Sequence, residues 1–122
     1  MNPARSILVV DDDEDLRETL VDVLRFEGFV VGSARDGQEG LAWLRGHSDT
    51  RWIVLLDLMM PVMNGRAFLD ARAIDPSLAT NPVIVLTAGG DCRELKATGQ
   101  LANCLPKTAP IHELLAAIAA CT

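Results

Sequence analysis

The sequence predicts a doubly wound α/β domain, a five-stranded parallel sheet with helices on both faces, on three observations. Short apolar runs alternate with helix-like segments between residues 7 and 115, a rhythm that calls for parallel strands joined by crossover helices. The runs are continuous rather than alternating in polarity, as strands covered on both faces require. At 122 residues the chain has the size of one domain, so residues 1–122 are read as a single unit.

Ile7-Leu8-Val9-Val10 is the first strand. Leu16, Leu20, Val23 and Leu24 then fall at i, i+4, i+7 and i+8, which makes 14–27 an amphipathic helix with Asp13 as N-cap and Gly28 as terminator. Phe29-Val30-Val31 follows as the second strand, and Leu41 and Leu44 mark a second helix ending near Gly46. Residues 52–56 form the third strand, and Phe68, Leu69 and Ala73 a third helix from about 65 to 74, before Pro76. Residues 83–86 supply the fourth strand. The stretch 89–100 opens on Gly89-Gly90 and has only Leu95 as an apolar anchor, so a short or mobile helix is expected there. Asn103-Cys104-Leu105 is a weaker fifth strand, and Ile111, Leu114, Leu115 and Ile118 define the last helix.

Composition removes several classes of function. The formal charge is -6 and the Lys and Arg residues are scattered, which argues against direct nucleic-acid binding. No apolar run approaches the roughly 18 to 20 residues that span a bilayer, and the start MNPARS lacks a signal-peptide pattern. A soluble, cytoplasmic protein with no membrane role is expected. Cys92, Cys104 and Cys121 are odd in number and show neither CxxC nor Cys/His spacing, so they are read as reduced, mostly buried thiols.

Ligands of parallel α/β sheets bind beyond the carboxyl ends of the strands, and the unusual polar residues stand there. Asp11, Asp12 and Asp13 follow the first strand, Asp57 the third and Thr87 the fourth, while Lys107 sits just past Leu105. If the first and third strands are neighbours, Asp11, Asp12 and Asp57 crowd together and need a cation to offset their repulsion. Magnesium suits such a cluster: it takes one or two carboxylates, keeps several waters and accepts a phosphate oxygen. A carboxylate beside it can attack phosphorus to give an acyl phosphate, with the metal, Lys107 and Thr87 neutralising the transferring group.

ILVVDDDEDLRETL, VLLDLMMPVMNG, PVIVLTA and LPK, in this order and at these separations, resemble the receiver domain of bacterial response regulators over nearly the whole chain. The resemblance implies a flavodoxin-like (CheY-like) fold and a phosphoacceptor rather than an enzyme acting on other substrates. It implies that Asp57 is the acceptor, that Asp12 ligates Mg2+ directly and Asp11 mainly through water, and that Met59 lends its backbone carbonyl. Thr87 matches the hydroxyl that turns toward the phosphoryl group, Ala88 its small neighbour, Lys107 the ammonium, and Pro61 and Gly65 the turn after the acceptor. Implied partners are a sensor histidine kinase or histidine phosphotransfer protein upstream, and a downstream protein or a missing output domain.

The same residues admit other readings. Asp13, Glu14 and Asp15 serve a helix first turn, and an EF-hand is excluded because Leu16 replaces its glycine and Asp22 its final glutamate. His47 and His112 are expected to be surface imidazoles, and Met59, Met60 and Met63 packing residues rather than sulfur ligands. An aspartyl phosphatase would need a second aspartate where Met59 stands, and no GxGxxG follows the first strand.

The chain also departs from the family pattern. Cys104 stands where an aromatic switch residue is common, and Thr108 replaces the proline usually joined to the lysine by a cis bond. Lys107-Thr108 is therefore expected to be either trans, shifting the lysine, or strained. Only 20 positions separate Thr87 from Lys107, and the last helix is expected to expose Ala116, Ala117, Ala119 and Ala120 rather than charges. These departures keep open a degenerate receiver that acts as a constitutive interaction module. In a switching receiver, phosphorylation would bias 89–100 between loose and ordered states through Thr87.

Overall fold

The computed structural model describes residues 5–58, 64–88, 97, 99 and 101–121. Among them the chain forms β1 (Ser6–Val10), α1 (Glu14–Phe26), β2 (Val30–Ala34), α2 (Gly37–Gly46), β3 (Trp52–Asp57), α3 (Gly65–Ala73), β4 (Val83–Thr87), β5 (Asn103–Pro106) and α4 (Ile111–Ala119). The stretch 89–100, apart from 97 and 99, lies outside the described residues, as do Met59, Met60, Pro61, Met63 and Cys92.

Short polar side chains start the helices. Asp13, Asp36 and Asn64 accept from the backbone N–H groups of Leu16, Glu39 and Ala67 at the heads of α1, α2 and α3, satisfying donors that a helix start leaves without partners. At the other end of α1, Gly28 adopts φ +96, and the N–H groups of Gly28 and Phe29 donate to the carbonyls of Arg25 and Leu24. That pair of bonds is a Schellman close, which favours glycine in the left-handed residue. It also corrects the predicted start of β2. Phe29 spends its N–H on α1, so the strand begins at Val30, opposite Ser6, and runs on through Gly32 and Ser33.

The strands form one sheet in the order β2-β1-β3-β4-β5, and every neighbouring pair is parallel. Successive residues of a strand face opposite sides, which divides the core in two. Leu8, Val10, Val54, Leu56 and Val85 pack with Leu41, Leu44, Phe68 and Leu69 of α2 and α3. Ile7, Val9, Ile53, Leu55 and Ile84 pack with Leu24 of α1 and Leu114 and Ile118 of α4. Ala117, predicted to be exposed, is buried in this second cluster, while Ala116, Ala119 and Ala120 are exposed as expected.

Two further expectations are corrected. His47 is only partly exposed: its ring stacks on Trp43 at 4.2 Å and meets Trp52 edge-on, and Nδ1 lies 2.8 Å from the Trp43 carbonyl. Single-residue spacing could not show that α2 ends against β3. Cys104, predicted to be reduced, is disulfide-bonded, and only Cys121 among the described cysteines is a free, buried thiol. Disulfide pairing depends on where the fold brings two Cβ atoms, which sequence spacing alone does not reveal.

Candidate functional site

The strand order reverses direction between β1 and β3, and an open α/β sheet places its ligand crevice at such a switch point. Val10 is the Cα partner of Leu56, so Asp11 and Asp57, each the next residue, emerge side by side at the paired strand tips. Asp11 and Asp57 are only 2% and 4% exposed, whereas Asp12 faces solvent. Oxygens of the three carboxylates all lie within 4.8 Å of one another.

Lys107 reaches this cluster from the far edge of the sheet. Its Nζ stands 3.3 Å from Asp11 Oδ2 and 3.3 Å from Asp57 Oδ2. Burial pulls the ammonium pKa down, but the charges of Asp11 and Asp57 and the bonds to both outweigh it, leaving the pKa above the ordinary lysine value. No peptide bond among the described residues is cis, so Lys107-Thr108 is trans. The lysine meets both carboxylates all the same, because β5 aims it: the Lys107 N–H donates to the Thr87 carbonyl at 2.8 Å. Thr87 itself is buried at the end of β4, opposite Pro106.

The structure adds two supports of the site to the sequence reading. The Arg17 guanidinium donates to the Asp11 carbonyl at 2.8 Å. Together with the Asp11 N–H bond to Ala34 and the Asp13 N–H bond to Asp11 Oδ1, it holds the acidic turn at three points. A basic residue six positions after an acidic strand end, one turn into the next helix, was the available signal. The second support is a close approach by Gly65, which the sequence placed only in a turn. A Cβ there would stand 2.8 Å from Leu58 Cα and 3.0 Å from the Asp57 carbonyl. Gly65→Ala must therefore push the backbone that follows Asp57. We expect a loss of about 1–3 kcal/mol in urea unfolding and weaker divalent-ion binding.

The charge balance of the cluster suggests its ligand. Three carboxylates and one ammonium leave a formal excess of two negative charges, which one divalent cation offsets. All donors are hard oxygens, as magnesium prefers, and opposite ligands of a magnesium ion stand about 4.2 Å apart. Oxygens grouped within 4.8 Å can meet that geometry by small side-chain adjustments. Met59, expected to add a carbonyl, lies outside the described residues.

Comparison with known proteins shows the family and the fold. A family model described as "Response regulator receiver domain" matches residues 7–119. The chain is 37% identical over 116 residues to the transcriptional regulatory protein CpxR homolog of Haemophilus influenzae, covering 93% of this chain and 48% of that protein. It is 40% identical over 92 residues to the C4-dicarboxylate transport transcriptional regulatory protein DctD of Rhizobium meliloti, covering 75% of this chain and 19% of that one. The chain thus spans half or less of the length of these curated relatives. Among solved structures, the chemotaxis protein CheY4 of Vibrio cholerae superposes with a TM-score of 0.84 at 27% identity, covering 98% of this chain and 100% of that one. The response regulator TrrA of Thermotoga maritima, solved in complex with Mg2+ and BeF, superposes with a TM-score of 0.82 at 25% identity, covering 97% and 99%. With its sheet order, its acidic crevice and these matches, the chain belongs to the response regulator receiver domains, the phosphoacceptor modules of two-component signalling.

Proposed function

We propose that Asp57 is the phosphoacceptor of this receiver and that Asp11 and Asp12, with the Met59 carbonyl, hold a magnesium ion beside it. The observation that carries the reading is the convergence of three acidic side chains and Lys107 at the tips of β1, β3 and β5. An Asp57 carboxylate oxygen attacks the phosphorus of a phosphohistidine, an acyl phosphate bond forms, and the bond from phosphorus to the imidazole nitrogen breaks. When bound, Mg2+ supplies charge neutralisation at the phosphoryl oxygens. Lys107 exchanges part of its contact with the two carboxylates for a phosphoryl oxygen, and the Thr87 hydroxyl supplies a further donor.

The phosphodonor in this reading is a sensor histidine kinase or a histidine phosphotransfer protein, which places the chain in the cytoplasm. No helix among the described residues is long and apolar enough to cross a membrane. An apolar groove beside Lys107, lined by Leu16, Leu20, Leu105, Ile111 and Leu114, suits helices of such a donor. Output passes to a protein partner or to an output domain, in keeping with the greater length of the transcriptional regulators that the chain resembles. Residues 1–122 act in this scheme as one receiver unit. The alternative of a constitutive interaction module is disfavoured by Lys107, which meets both carboxylates despite Thr108.

Calorimetric titration with MgCl2 tests the metal site. Wild type should bind one ion with a millimolar or tighter Kd. Because Asp12 is exposed, Asp12→Ala should cost no more than about 0.5 kcal/mol of stability yet weaken binding by about tenfold or more, roughly 1.4 kcal/mol. Equal Mg2+ affinity in the two proteins would remove Asp12 from the site.

A further inference from the structure

Asp11 has each of its polar atoms engaged. Its N–H donates to the Ala34 carbonyl at 3.1 Å, and its carbonyl accepts from Arg17 Nη1 at 2.8 Å. Oδ1 accepts from the Asp13 N–H at 2.9 Å, and Oδ2 lies 3.3 Å from Lys107 Nζ. The residue is 2% exposed, so water hardly competes for these partners. Ala34 and Asp13 contribute main chain, and Lys107 belongs to the phosphoryl site. Arg17, one turn into α1, reaches in from outside the acidic cluster.

The Asp11 carbonyl lies in the peptide that joins Asp11 to Asp12, so the guanidinium fixes the plane from which the Asp12 side chain departs. Asp12 is exposed, yet its carboxylate stands within 4.8 Å of those of Asp11 and Asp57. We propose that Arg17 is the specificity-determining residue of the metal site, a positioning group that makes the three carboxylates favour Mg2+ over Ca2+. The inference rests on the magnesium reading of the cluster and deepens it.

Magnesium demands near-octahedral oxygens at about 2.0–2.1 Å, whereas calcium accepts roughly six to eight oxygens at about 2.3–2.6 Å in flexible arrangements. Carboxylates by themselves do not separate the two ions, since both are hard and divalent. What separates them is how far the oxygens can move. A clamped Asp11–Asp12 peptide keeps the oxygens grouped and resists the expansion that a larger ion needs. Released, the turn can swing Asp12 outward or present both of its oxygens, a change that costs magnesium its geometry and suits calcium.

A second arginine on the same helix supplies the contrast. Arg25 also donates to a carbonyl six residues away, from Nη2 to Val31 at 3.3 Å. That bond ties α1 to β2 without touching the Asp11–Asp12 peptide. Loss of Arg25 should therefore leave the choice of metal alone.

The experiment titrates MgCl2 and CaCl2 separately into the metal-free full chain by calorimetry, for wild type, Arg17→Met, Arg17→Lys and Arg25→Met. Methionine keeps an apolar stem and removes the donors. Arg17→Met should weaken Mg2+ binding by about tenfold, the scale of losing a partner that orients a metal ligand, and Ca2+ binding by less than about threefold. The ratio of the calcium Kd to the magnesium Kd should thus fall by about threefold or more. Arg17→Lys retains a charged donor without the planar fork and should recover part of the ratio, while Arg25→Met should keep the wild-type value. Hydrogen exchange on the metal-free proteins adds a second readout. The Asp13 amide, bonded to Asp11 Oδ1, should exchange faster in Arg17→Met and not in Arg25→Met. Equal weakening of both ions in Arg17→Met, or the same fall of the ratio in Arg25→Met, overturns the proposal and leaves Arg17 a structural support only. So does an Asp13 amide that exchanges as in wild type. If Arg17→Met does not fold, Arg17→Lys decides: a ratio below that of wild type supports the proposal, and an unmoved one overturns it. A wild type that binds Ca2+ as tightly as Mg2+ removes the selectivity alone, whereas one that binds neither ion removes the magnesium reading itself and the proposal with it.

Discussion

Asp57→Asn is expected to abolish phosphoryl labelling by a small phosphodonor in the presence of Mg2+, with a loss of more than about 100-fold relative to wild type. The carboxamide keeps the shape of the side chain but has no anionic oxygen to attack phosphorus. Asp57 is buried at the tip of β3, beside Asp11 and within reach of Lys107. Its replacement removes one of three clustered negative charges, so the folded state gains relief from like-charge repulsion even as it loses an ion pair. Urea unfolding should accordingly show undiminished stability in the variant, which separates a lost nucleophile from a lost fold. The Mg2+-dependent gain in stability should shrink, because a ligand stabilises only as far as it binds the native state. Labelling that survives the substitution would move the acceptor to another residue.

Lys107→Ala should slow the same labelling by about 100- to 1,000-fold, the cost typical of removing one preorganised charge from a developing anion. Its effect on metal binding should run the other way. The ammonium stands 3.3 Å from Asp11 and from Asp57 and occupies oxygens that a cation would otherwise neutralise. Removing it should tighten Mg2+ binding by about three- to tenfold, up to roughly 1.4 kcal/mol. Reduced labelling with weakened Mg2+ binding would instead mark Lys107 as a support of the metal site. The pH dependence follows from the raised lysine pKa. A basic group whose pKa rises on folding contributes its stability in full below the unfolded value, near 10.4. That contribution is lost as pH climbs through the higher folded value. The stability difference between wild type and Lys107→Ala should therefore be flat from neutral pH to about pH 9 and shrink only in more alkaline solution.

Both predictions concern residues that could be picked out before any coordinates were known, because apolar runs of strand length end on them. A continuous run such as 53–56 is best satisfied inside a sheet covered on both faces, so the polar residue that breaks it stands at the end of an interior strand. The five strands and four described helices were legible on the same ground. Where local patterns competed, the sequence was a poorer guide. Phe29 is as apolar as Val30 and Val31, but its N–H closes α1 and so leaves the strand. His47 looks like a surface residue until α2 brings it against Trp43 and Trp52.

By itself, the sequence determined the class of fold, the alternation of strands and helices along the chain and the identity of the acidic, hydroxyl and ammonium groups, since each follows from apolar periodicity and from the residue type at a strand end. Only the tertiary structure decided what those groups do to one another. The pairing of Val10 with Leu56 brings Asp11 beside Asp57, and the bond from Lys107 to Thr87 aims a lysine through a trans peptide. Arg17 and Gly65 hold the surrounding turns, and Cys104 carries a covalent bond. The physical reason is the same in each case: these are contacts between segments far apart in the chain, or through space across a turn, and periodicity records only which face a residue prefers.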